Sequence, residues 1–195
     1  MAWTYFVDYP DEAWVTGPEP DEDLAVWAQD VCDDLFAEGE SAVVLGSQLR
    51  AYGLQARDKH YDITALWIPQ VHLGVLAARA TMRMTDDDPI TLERVEALER
   101  SFEQPDSSAP DVARVRLAIG PAVRVRRLEA TTAHGMGTSP LTESVTHTVV
   151  APDLLDDDGR QVALRHVVSW QFLEHGDEMA VLADDCAALL RVEHH

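Results

Sequence analysis

Residues Arg114–Arg127 read RVRLAIGPAVRVRR, and the period of this stretch decides the fold. Apolar and cationic side chains alternate every second residue, which is the period of a strand and not of a helix. Val115, Leu117 and Ile119 oppose Arg114 and Arg116; Val123 and Val125 oppose Arg124 and Arg126. Gly120-Pro121 is a turn signal, so strands Val112–Ile119 and Ala122–Glu129 are expected to pair as a tight hairpin. On this reading Arg114, Arg116, Arg124 and Arg126 share one face, with Arg79, Arg83 and Arg165 extending it. Like charges on one face repel unless anions sit among them. Those anions are either the chain's own carboxylates or an acidic ligand or partner, held by bidentate Arg contacts.

The same test of period assigns the flanking segments. Ala2–Tyr9 alternates and ends at Pro10, and DEAWVTGPEPDED reads as a loop. Leu24, Trp27, Ala28, Val31 and Leu35 fall at helical spacing behind Asp21–Asp23, where the helix dipole favours acid. A second helix is expected over 40–56. Strands follow at Tyr61–Ile68 and His72–Met84, with Leu76, Ala78, Ala80, Met82 and Met84 on one face. A short helix is expected over Thr91–Phe102, then strands at Ser144–Ala151 and Gln161–Leu173. In the final amphipathic helix Asp177 caps and Met179, Leu182, Cys186 and Leu189 are buried. These elements predict an α+β protein, a single antiparallel β-sheet of about six to seven strands with helices packed on it. The expected domain is 1–192, and the closing VEHH is set aside as a tag remnant.

Composition narrows the partners. The 195 residues suit one domain, with 46% hydrophobic and 26% charged residues. Asp and Glu number 35 against 15 Lys and Arg, a net charge of −20. Such a chain repels nucleic acid and anionic membrane surfaces, leaving another protein as the expected partner. Neither a membrane-spanning run nor a basic leader is legible, and Cys32 and Cys186 lie on apolar helix faces, so a cytoplasmic location is expected.

Chemistry is sparse. Cys-x-x-Cys, His-x-x-x-His and His-Glu-x-x-His are absent, and the Asp86–Pro89 and Asp156–Gly159 runs lack the alternating spacing of a calcium loop. No metal and no cofactor is expected. Without a nucleophile elbow, no catalytic residue is assigned. His134 lies in a Gly-rich connector, AHGMGTSP, while His147 and His166 lie in mid-strand. His166 falls within the apolar stripe Val162, Leu164, Val168, Trp170 and Phe172. The three histidines form either satisfied structural positions or the wall of a pocket. Trp14, in an acidic loop, is either a core anchor or an exposed aromatic for a partner.

The order of PDEAWV, ATMRM, LAIGPAVRVRR and VTHTVVAPD, followed by a long strand and an amphipathic helix, resembles the PsbP-like superfold. That group includes the nuclear Ran-binding import factor and many uncharacterised actinobacterial proteins. The resemblance implies an antiparallel sheet with helices packed on it and a binding role without chemistry; it transfers no functional residue. The expected function is a non-catalytic protein-binding or adaptor module, with an immunity-type protein neutralising a basic partner as one variant. The alternative is a small-molecule-binding protein or enzyme using histidines in a sheet-lined pocket.

Overall fold

The computed structural model describes residues 3–59, 61–85, 91–101, 109–130, 141–152, 154–155 and 158–194, with side chains from Phe6 to Glu193. Its strands are β1 (Trp3–Val7), β2 (Trp14–Thr16), β3 (Ile63–Trp67), β4 (Ala78–Thr85), β5 (Asp111–Leu117), β6 (Gly120–Ala130), β7 (Leu141–Val149), β8 (Ala163–Trp170) and β9 (Leu190–His194). Its α-helices are α1 (Leu24–Asp34), α2 (Gly39–Lys59), α3 (Leu92–Ser101) and α4 (Gly176–Ala188). Seven strands form an antiparallel sheet in the order β2-β3-β4-β8-β7-β6-β5, and β1 pairs with β9 separately. The protein is therefore α+β, as its sequence periods require. Contacts divide the chain into two units, Asp11–Thr81 and Met1–Pro10 with Met82–His195.

In the unit Asp11–Thr81, Asp23 caps α1 by accepting from the Ala25 and Val26 amides at 2.8 and 3.2 Å. Trp27, Val31 and Cys32 of α1 and Leu45, Leu49 and Tyr52 of α2 then bury against Leu66 and Ile68. The Tyr52 hydroxyl donates to the Ala80 carbonyl at 3.3 Å, and Gln48 ties Gly74 and Leu76 to α2. The expected strand His72–Met84 is shorter than its alternation suggests. Val71–Leu73 is a 3-10 turn ending on left-handed Gly74, and pairing begins only at Ala78.

In the other unit, β5, β6, β7 and β8 form a meander. The β5–β6 register is Leu117↔Gly120, so the two-residue turn is Ala118-Ile119 and not Gly120-Pro121. Gly120 instead opens β6 at φ +146°, where a Cβ would lie 2.9 Å from Ala151 Cβ. Only glycine meets both demands. α3 lies on the sheet face carrying Val112, Val123 and Val125, with Leu92 and Val95 packed against them. α4 contacts β7 and β8 on the opposite face, that of His147 and His166. It starts one residue before the expected cap, and Asp177 lies in its first turn, bonded elsewhere. Leu189 follows the helix as its C-cap, half-buried. The chain then continues as β9, where Glu193 and His194, set aside in the sequence as a tag remnant, pair with Thr4 and Trp3.

Candidate functional site

The register of three strands builds one polar row under α4. Arg124 stands opposite His147, and His147 opposite His166, all on one face. α4 supplies Asp184, whose Oδ1 accepts from Arg124 Nε at 2.7 Å and from His147 Nε2 at 3.1 Å. Donation from Nε2 sets the neutral His147 tautomer, leaving Nδ1 as the acceptor. Burial works against the Asp184 carboxylate, but its hydrogen bonds from His147 and Arg124 outweigh this and hold its pKa below the usual value.

The next row is also closed. Arg126 donates to Glu143 Oε1 and Asp177 Oδ1, each at 2.6 Å, and Trp170 Nε1 donates to Glu143 Oε2 at 3.1 Å. The Glu143 bond, then the Asp177 bond, raise the Arg126 pKa.

His166 is different. It is 0% exposed, and neither ring nitrogen has a hydrogen-bond partner among the described residues; nor does His147 Nδ1. Burial, with the His147 ring adding to it, pushes the His166 pKa down to about 3. The ring is thus neutral and enclosed at neutral pH.

Arg114 and Arg116 are on the other face, which corrects the four-arginine surface. A two-residue turn gives odd-to-even pairing, so Arg114 lies opposite Val123 and Arg116 opposite Pro121. Arg114 reaches α3, donating to Glu96 at 2.7 Å and Glu93 at 3.0 Å. Arg127 reaches Glu99 at 2.7 Å and Glu129 at 3.2 Å, and Arg165 approaches Glu99 at 3.8 Å. Arg116 is exposed and forms no ion pair among the described residues. The chain's own carboxylates therefore answer Arg114, Arg124 and Arg126.

Trp14 is placed in β2, not in a loop, half-buried with its ring centroid 6.5 Å from that of Trp67. His134 lies outside the described residues, whereas His147 and His166 are brought together as a cross-strand pair. Among the described residues no group of three or more His, Cys, Asp or Glu is arranged to hold a metal ion. Both cysteines are buried.

One residue escaped the sequence reading. Phe36 is 88% exposed and left-handed, at φ +53°. It follows the Leu35 C-cap of α1, with Phe36 N donating to Asp33 O at 3.0 Å and Ala37 N to Cys32 O at 2.8 Å. This paired bond pattern ends a helix on a left-handed residue that is usually glycine. A bulky aromatic there is an outlier, and its ring gains no burial in return. The legible signal was DDLFAEGE, where the helix stops at a Phe and Gly39 comes three residues late.

No family model and no curated protein matches this chain. Among solved structures it is similar to LpqN of Mycobacterium tuberculosis, described as involved in cell envelope biogenesis. The identity is 12% and the TM-score 0.55, over 99% of this chain and 85% of LpqN. At that identity the likeness shows the fold alone.

Proposed function

We propose that this protein is a non-catalytic protein-binding module that engages a basic partner. The observation carrying this reading is the internal use of the sheet arginines. Arg114, Arg124, Arg126 and Arg127 each meet carboxylates of the same chain, so the surplus of acid is what the protein presents outward. An outward field of one sign steers oppositely charged partners and rejects nucleic acid. The PsbP-like resemblance supports a binding role, and an immunity-type protein neutralising a basic partner is the variant that the charge favours. A cytoplasmic setting suits that variant; the envelope, the setting named for LpqN, is the other.

Cross-linking capture from cells of the source tests the reading. A reproducible partner with a basic surface, released by raised salt, is the expected result. Recovery of no partner, or of one whose retention ignores salt, overturns it.

A second reading, a small polar molecule held between the sheet and α4, is favoured by the three ring nitrogens of His147 and His166 without partners. Nitrogen NMR of the purified protein decides it. Shifts of His166 that change on unfolding-refolding from denaturant, as a retained molecule is washed away, support it; unchanged shifts remove it.

A further inference from the structure

The α1–α2 corner pairs an aromatic that no packing explains with a surplus of acid. Phe36 stands out at 88% exposure, and Val43 and Val44, in the first turns of α2, are exposed too. Asp30, Asp33, Asp34, Glu38 and Glu40 flank Phe36 in sequence, and every one is exposed. Residues 11–49 hold eleven Asp and Glu and no Lys, Arg or His; the first cation after them, Arg50, lies beside Cys32 and leaves the corner strongly acidic on balance.

An exposed aromatic flanked mainly by exposed carboxylates has the composition of an interface anchor, an apolar centre with a polar rim. The rim selects the occupant. Nucleic acid and anionic lipid surfaces are repelled by these carboxylates, and a second copy of this chain would bring −20 against −20. What fits is a segment that is cationic and apolar together. We propose that the α1–α2 corner, anchored by Phe36, docks a cationic amphipathic helix of a partner protein, whose apolar face covers the ring while its Lys and Arg meet the flanking carboxylates. This rests on the reading of a protein-binding module with a basic partner, and gives that reading a location and a chemical class of ligand.

The left-handed backbone makes the test unusually clean. Phe36→Gly installs the residue that the turn prefers, so it is expected to fold at least as stably as the parent while losing the anchor. The probes are a helix-forming peptide of Lys and Leu with one apolar face, its scrambled isomer of equal charge, a Glu/Leu counterpart, and zwitterionic phosphatidylcholine vesicles. Titration should show the Lys/Leu peptide binding more tightly than the scrambled isomer, weakening with salt, and losing tenfold or more affinity in Phe36→Gly; Phe36→Leu should restore part of it. Amide shift changes should centre on residues 30–44.

Equal binding by parent and Phe36→Gly overturns the proposed site but leaves the basic-partner reading intact. No binding of the peptide overturns the site too, while capture of a basic partner from cells judges that reading separately. Phe36-dependent binding to the vesicles, or Phe36-dependent self-association in sedimentation, overturns the proposal in favour of those occupants.

Discussion

His147 and His166 face one another across β7 and β8, 2% and 0% exposed, and only one of their four ring nitrogens has a hydrogen-bond partner among the described residues. An imidazole held neutral in the fold but free to charge when unfolded couples stability to pH. The His166 pKa is about 3 in the fold against 6.5 for the free group, so between these values the unfolded state binds the extra proton. Stability from this group is complete above pH 6.5 and falls as pH drops toward 3, with a limiting slope of about 1.4 kcal/mol per pH unit. The groups facing it are the His147 ring and, beyond that, Asp184 and Arg124. Urea unfolding at a series of pH values should show this slope in the parent and its loss in His166→Leu.

At neutral pH, His166→Leu should raise stability by about 1 kcal/mol or more, because an apolar side chain of similar size replaces two buried polar atoms without partners. A loss of stability on this substitution would mean that the nitrogens bond to water or to a bound molecule.

Asp184 joins α4 to the sheet through Arg124 and His147. Asp184→Asn should cost about 1 kcal/mol, a modest figure because the carboxylate is partly exposed and screened. Since its pKa is lowered in the fold, the carboxylate contributes above the free value of 3.8 and its contribution is lost as pH falls through the folded value. The difference between parent and Asp184→Asn should therefore narrow below about pH 4, as thermal melts across that range will show.

Two acids of α3 separate buried from exposed ion pairs. Glu99 and Arg127 are 13% and 10% exposed at their side chains, and Glu99→Ala should cost about 3 kcal/mol because it removes the shielded carboxylate that Arg127 meets at 2.7 Å and Arg165 approaches at 3.8 Å. Glu93 is open to solvent, so Glu93→Ala should leave the denaturation midpoint where it was.

Gly120→Ala should destabilise by about 2 kcal/mol, combining an unfavourable φ with a clash against Ala151. Calorimetry provides the measurement. Gly159→Ala, also at positive φ but with nothing within 4 Å, isolates the backbone part.

The fold class was legible because each period is a local property. RVRLAIGPAVRVRR could be read as two strands from its alternation alone, and Asp21–Asp23 as the acidic start of a helix from their place before Leu24. Trp14 was misplaced because β2 is only three residues long, too short for a period to register. The strand at His72 failed for the opposite reason: alternation continued through residues that a 3-10 turn and Gly74 take out of the sheet. Phe36 was missed because exposure at a helix end depends on the left-handed turn itself.

By itself the sequence determined which side chains alternate along each strand, the acidic net charge, and the α+β class. Only the tertiary structure decided which arginines stand together. Whether Arg114 shares a face with Arg124 depends on the length of the turn between them, and Ala118-Ile119 sets it so that they point apart. Which charges answer them depends on segments distant in sequence: Asp184 is sixty residues from Arg124, and α4 brings it there because its apolar side must cover the sheet face that His147 and His166 occupy.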